Sequence, residues 1–134
     1  SAVFPPFKYF NKMGRVYPDI ALVSHNYIVK VSGNYMAVDG TSASSPSVSG
    51  MISILNNLRL SQNKSSVGLV APLLYHIYNN CPECFKDVLE GSNNSTEEVD
   101  CPYGYHATEG YDAVYGLGLP NFDTIYEYVK NMRN

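Results

Sequence analysis

No hydrophobic stretch in the chain approaches the roughly 20 consecutive apolar residues that a membrane-spanning helix needs, so no transmembrane helix is expected in it. Positive charge is scarce too. Nine Lys and Arg stand against twelve Asp and Glu, a net charge of −3. That balance gives no electrostatic footprint for nucleic acid. No leader peptide is visible at Ser1 and no internal repeat is apparent. Cysteine is limited to three residues. In an oxidising compartment an odd number leaves one free or paired outside this chain.

What is present fits a packed globular unit. The 134 residues suffice for one small domain. Hydrophobic residues make up 45% of them, with five Phe and twelve Tyr, which is not the composition of a disordered segment. Residues 1–11, rich in proline and aromatics, read as an extended loop. Arg15 to Asp19 leads into Ile20–Val23, an apolar run that suits a buried strand of a parallel sheet. His25-Asn26 reads as a turn, and Tyr27–Val31 with Tyr35–Val38 as a hairpin around Ser32-Gly33-Asn34.

Gly40-Thr41-Ser42-Ala43-Ser44-Ser45-Pro46 follows that hairpin and opens a helix. The helix places Val48, Met51, Ile52, Leu55 and Leu58 on one face at the helical period. Two readings of its start stand side by side. It is an ordinary Ser/Thr-capped helix N-terminus, or it presents Ser42 as a nucleophile. Gly40 permits close backbone approach and small neighbours leave Ser42 Oγ accessible. The free N–H groups and dipole of the first turn favour an oxyanion there. Pro46 is expected in that first turn, where its missing N–H costs nothing.

The rest of the chain alternates helices with polar stretches. Residues 61–66 read as a polar loop, Pro72–Asn79 as a helix and Cys81–Tyr105 as a long surface excursion. Gly110–Asn121 is a glycine-punctuated turn region. Asn121 then caps a last helix, Phe122–Met132, with Phe122, Ile125, Tyr126, Val129 and Met132 on one face. Asn63, Asn93 and Asn94 each begin a glycosylation sequon in a polar stretch, which suits a secretory or lysosomal protein. Cys81, Cys84, Cys101 and His106 also have the donor types of a tetrahedral zinc site.

Four ordered blocks resemble the sedolisin (serine-carboxyl peptidase) family, above all its tripeptidyl-peptidase I-like branch. They are Tyr9-Phe10-Asn11 with Gly14-Arg15-Val16-Tyr17-Pro18-Asp19-Ile20-Ala21, then Gly40 to Pro46, then Gly68-Leu69 with Pro72-Leu73-Leu74-Tyr75. The last runs from Asp87-Val88 through Gly110-Tyr111-Asp112 to Gly116-x-Gly118-x-Pro120-Asn121-Phe122. The resemblance implies a subtilisin-like α/β fold with a doubly wound, mostly parallel sheet. Residues 1–134 would be the C-terminal portion of one peptidase domain, a mature product or a fragment. It implies Ser42 as the catalytic serine. It also implies one structural calcium ion at about residues 87–112, held by the carboxylates of Asp87 and Asp112 and the carbonyls of Val88, Thr108 and Gly110. Thr108 stands where the family usually has glycine.

In that family a glutamate backed by an aspartate takes the serine proton, and a separate aspartate lines the oxyanion hole. Such carboxylate chemistry works best at acidic pH. All three lie upstream of the serine in the family, yet the only acids before Gly40 are Asp19 and Asp39. Asp19 belongs to the Pro-Asp block and is expected to be structural. Asp39 replaces the small residue usually found before the Gly-Thr-Ser, and is expected to be a solvated neighbour. A second chain from the same precursor is therefore expected to supply the glutamate and aspartates, the substrate being a peptide or protein. Cys81 or Cys84 is expected to bond to Cys101, and the remaining one to that partner. A lysosome, another acidic vesicle or the secreted space is the expected location. A subtilisin-type peptidase using His25, His76 or His106 as base, and a non-catalytic module that keeps the fold, are the alternatives.

Overall fold

The hairpin forms as β1 (Tyr27–Val31) and β2 (Asn34–Val38), antiparallel, with Tyr27 opposite Val38 and Val31 opposite Asn34. Asn34 therefore joins the ladder, and the tip shrinks to Ser32-Gly33. Both have positive φ, 49° and 86°. That pair of conformations gives a two-residue turn whose twist matches the strands it joins. These coordinates are a computed structural model that describes residues 4–96 and 98–132. The chain is mixed α/β and divides into two units. One comprises the chain up to Ala21 with Phe85–Leu119; the other comprises Leu22–Cys84 and the chain from Pro120.

In the second unit the hairpin feeds α1 (Thr41–Ser61), preceded by Gly40 at φ 135°. A side chain at position 40 would find room, its nearest contact being Ser42 N at 3.8 Å. The backbone conformation, not space, is what calls for glycine. Because α1 begins at Thr41, Pro46 lies inside it rather than in its first turn. The Ser42 carbonyl consequently has no i+4 N–H to accept. The apolar stripe is buried unevenly: Leu55 and Leu58 are buried, whereas Val48, Met51 and Ile52 are half-buried. α2 (Val70–Asn80) starts two residues ahead of Pro72, which the first turn tolerates because its N–H would have no acceptor there. α3 (Phe122–Asn131) begins as expected, with Asn121 Oδ1 accepting from Thr124 N–H. It packs on α1 and buries Ile125 and Val129. Gln62 and Lys64, just past α1, donate to the carbonyls of Lys130 and Met132.

The cysteine pairing differs from expectation. Cys81 bonds to Cys84, and Cys101 is a free, exposed thiol. Cys81 caps α2 and a 3-10 turn, Pro82–Cys84, follows it, with Cys84 N–H donating to the Cys81 carbonyl. This turn brings the two Cα atoms to 5.4 Å, inside the span of a disulfide. The pairing also removes two of the four donors of the zinc alternative.

β3 (Phe85–Lys86), in the first unit, pairs with β4 (Leu119–Pro120), whose Leu119 ends that unit. Residues 20–23 do not form the expected strand. They lie in no strand, and Ala21 N–H donates to the Gly118 carbonyl. A parallel strand needs hydrogen-bonded neighbours, and the strands among the described residues pair only as β1–β2 and β3–β4. The doubly wound parallel sheet is thus absent among them. The Pro-Asp block instead docks on the glycine-rich turn. Leu117 N–H donates to the Asp19 carbonyl and Tyr111 Oη to the Pro18 carbonyl. Gly116 is required there, since a Cβ would collide with the Asp19 and Pro18 carbonyls.

The expected surface excursion, Cys81–Tyr105, is buried at its start, through Cys81, Cys84 and Phe85. Further on, isolated bridges pair Ser92 with His106 and Ser95 with Asp100. The N-terminal aromatic stretch contains a 3-10 turn at Phe7–Tyr9. It also joins a ring cluster in which Phe4 and Phe10 contact Tyr105, and Tyr9 contacts Tyr103.

Ile77 on α2 is fully buried. Ile77→Ala should destabilise the protein by about 2–5 kcal/mol, the range for large-to-small core truncations, read as a lowered urea midpoint.

Candidate functional site

Ser42 occupies the second position of α1 and is exposed. Its N–H, in the first turn, has no intrahelical acceptor and is free to donate to an oxyanion. Around it the turn is tied down by short-range bonds. Gly40 N–H donates to the Ser24 carbonyl at 2.7 Å, and Ala43 N–H to the Gly40 carbonyl at 3.0 Å. Ser44 Oγ lies 3.1 Å from the Leu22 carbonyl and 3.0 Å from that of Val23, so it bridges α1 to the chain ahead of the hairpin. Ser47 Oγ donates to the Ala43 carbonyl and meets Tyr27 Oη at 2.9 Å.

Asp39 is not merely a solvated neighbour. Its Oδ1 accepts the Asn26 N–H at 2.6 Å and lies 3.1 Å from His25 Nδ1. The Asn26 N–H foremost, and then His25, hold the Asp39 carboxyl below its usual value of 3.8. His25 Nε2 is 2.9 Å from Asn26 Nδ2. With Nδ1 donating to Asp39, that nitrogen accepts from the amide. It is therefore engaged by Asn26. His76 Nε2 meets Tyr128 Oη. Among the described residues no histidine hydrogen-bonds to Ser42.

The residues expected around calcium come together in the first unit. Asp87 Oδ2 accepts the Gly110 N–H at 2.7 Å, and Asp87 Oδ1 accepts the Val88 N–H at 2.9 Å. Asp112 is buried. Its Oδ2 accepts from Thr108 N–H at 3.0 Å, and its Oδ1 from the N–H groups of Val114 and Tyr115. Each carboxylate offers about four lone-pair directions, so both retain oxygen capacity. Neither has an ion-pair partner among the described residues. Two carboxylates are donors of the type a hard cation takes, but the atoms of Val88, Thr108 and Gly110 that meet them are N–H groups rather than carbonyls. No group of three or more His, Cys, Asp or Glu side chains gathers among the described residues, so a cation here would depend on backbone oxygen.

The other marked residues separate clearly. Asp19 pairs with Arg15 at 2.5 Å. Asn63 is exposed at a positive φ beyond α1. Asn93 has both ends of its amide engaged, by Tyr105 N–H and the Ala113 carbonyl. Asn94 is half-buried and accepts from Ser92 Oγ. Of the three sequons, Asn63 is the one whose side chain stands open.

Two features escaped the sequence reading. One is the His25–Asn26–Asp39 cluster. The signal lay in the hairpin register: if Tyr27 faces Val38, the next positions outward are Asn26 and Asp39. The other is a cleft of about 830 Å³ walled by Phe4, Phe7, Phe10, Tyr105 and Tyr111, with His106 at its lining. It joins residues remote in sequence and has no local signature.

Because the native Asp39 value is lowered, its contribution to stability is in place above the unfolded value. It is lost as pH falls through the native one. An NMR titration should place the Asp39 midpoint below 3.8. In Asp39→Asn the part of the acid destabilisation that follows this midpoint should be absent.

No protein-family model matches the chain. Individual relatives do. Physarolisin of Physarum polycephalum is 38% identical over 128 residues, 96% of this chain and 22% of its own length. Tripeptidyl-peptidase 1 of Dictyostelium discoideum is 41% identical over 120 residues, 90% of this chain and 20% of its own. Tripeptidyl-peptidase sed1 of Aspergillus fumigatus is 36% identical over 118 residues, 88% of this chain and 17% of its own. The chain thus spans about a fifth of the length of the curated relatives it matches. Similarity that runs through nearly the whole chain, through the Ser42 turn and the Asp87–Asp112 cluster alike, means that the chain belongs to the sedolisin family, in its tripeptidyl-peptidase I-like branch.

Proposed function

We propose that this chain carries the nucleophile of a serine-type peptidase that acts at acidic pH. The observation that carries the reading is an exposed Ser42 at the second position of α1, on a turn pinned by Gly40 and Ser44. Ser42 Oγ gives its proton to a base and attacks the scissile carbonyl of a peptide or protein, its N–H donating to the oxyanion; the C–N bond then breaks, the amine leaves with that proton, and water hydrolyses the acyl-enzyme. A base within hydrogen-bond reach is needed. The relatives are about five times longer than the matched stretch, and the glutamate and aspartates are assigned to that remainder, on a second chain of the same precursor. The remainder would also complete a subtilisin-like, doubly wound sheet. Ile28, Val31, Tyr35 and Met36 of the hairpin are exposed and are apolar surface that such a sheet would cover.

One calcium ion at Asp87, Val88, Thr108, Gly110 and Asp112 is assigned a structural role, tying Asp87 to the glycine-rich turn. When bound it supplies positive charge between two carboxylates. The chain's own N–H groups already hold those carboxylates in place. Glycosylation at Asn63 and a lysosomal or secreted location complete the reading. No helix among the described residues is long and apolar enough to cross a membrane.

The complete peptidase containing this chain, assayed on peptide substrate, should have its optimum below neutrality. It should lose essentially all activity in Ser42→Ala with an unchanged melting temperature. A neutral optimum would favour a histidine base, and retained activity would remove Ser42 from the chemistry. Millimolar calcium should raise the melting temperature, through binding to the folded state alone. The rise should vanish in Asp112→Asn; an equal rise in that variant would place the ion elsewhere.

A further inference from the structure

The hairpin between Asn26 and Asp39 is a local excursion whose two ends meet beside the nucleophile. The carboxylate of Asp39 closes that meeting point. Its Oδ1 takes the Asn26 N–H at 2.6 Å and sits 3.1 Å from His25 Nδ1. One residue on, Gly40 N–H binds the Ser24 carbonyl at 2.7 Å. Residues 24–26 are thus stitched to residues 39–40 by three contacts, and Ser42 follows two residues later. Asn26 has a positive φ of 51°, a conformation that asparagine adopts more readily than most residues.

We propose that Asp39 and His25 are positioning residues for Ser42, acting through the Gly40 turn rather than on substrate. This rests on the reading of Ser42 as the nucleophile. Both residues are exposed, and neither has any other ion pair among the described residues. The hydrogen-bonded neighbours of the pair are Asn26 and each other. Their placement at the point where β2 hands over to α1 fixes the backbone from which Ser42 projects. A displacement of about 1 Å in a reacting group is enough to cost up to about a hundredfold in rate. The effect should therefore fall on kcat, since no contact with substrate is removed.

The pKa of Asp39 lies below the ordinary value because the Asn26 N–H and His25 favour the charged form. The Asp39 contacts therefore weaken as pH falls through that lowered value.

The test uses the complete peptidase with Asp39→Ala, Asp39→Asn and His25→Ala, and Ser42→Ala as control. Readouts are kcat, KM and the rate at which a fluorophosphonate labels Ser42. Asp39→Ala should lower kcat and the labelling rate about ten- to a hundredfold, with KM within about twofold. Asp39→Asn keeps an oxygen for both donors and should recover most of the loss. His25→Ala should fall between them. An unchanged kcat in Asp39→Ala, an effect confined to KM, or an Asn variant as impaired as the Ala variant would overturn the inference. If the wild type is not labelled at Ser42, or Ser42→Ala stays active, it is the nucleophile assignment that has failed instead.

Discussion

The hydrogen bond from Gly40 N–H to the Ser24 carbonyl is the constraint on which the Ser42 region depends. It forms only because Gly40 accepts φ 135°, a value denied to residues with a Cβ. From that point the chain can leave β2 and enter α1 without an intervening loop. The helix direction is then secured from two sides. Ser44 Oγ grips the Leu22 and Val23 carbonyls. Leu55 and Leu58 are buried at the far end, where α3 packs with Ile125 and Val129. Ser42 is thus presented by backbone geometry at one end and by apolar burial at the other. Residues of no chemical interest decide where its Oγ points.

The first unit rests on a different device. Asp112 is a buried carboxylate whose three hydrogen bonds all come from backbone N–H groups, of Thr108, Val114 and Tyr115. Charge-assisted bonds of this kind are stronger than neutral ones, and three of them impose one path on the segment from Thr108 to Tyr115. Asp87 repeats the arrangement with Val88 and Gly110. The two carboxylates are thus held in place by backbone amides of the chain itself.

Much of this was legible in the sequence, for reasons that differ by element. α3 was readable because Asn121 is a good cap and the apolar period runs without interruption. The hairpin was readable because Ser-Gly-Asn breaks two β-rich runs. The run Ile20–Val23 misled, since apolar residues in sequence look alike whether a strand partner exists or not. Pro46 misled for the opposite reason. Proline is usually a first-turn residue, and here it sits deeper, at a place where the lost hydrogen bond falls on the Ser42 carbonyl. The disulfide was missed because spacing alone does not say that a helix cap and a 3-10 turn will bring Cys81 and Cys84 together. The Asp87–Asp112 grouping was found only through family resemblance, since residues so far apart in sequence carry no periodic signal.

The hairpin's two-residue tip carries an implication for how this family member tolerates change. Exposed loop tips are ordinarily where insertions and deletions accumulate without harm. Here Ser32-Gly33 fixes the register, and the register sets Asn26 opposite Asp39. One added or removed residue at the tip slides every pair by one and turns the side chains to opposite faces. The Asp39 carboxylate would then face the wrong backbone amide. The length of a surface loop with no side chain of functional value is in this way coupled to the turn before Ser42.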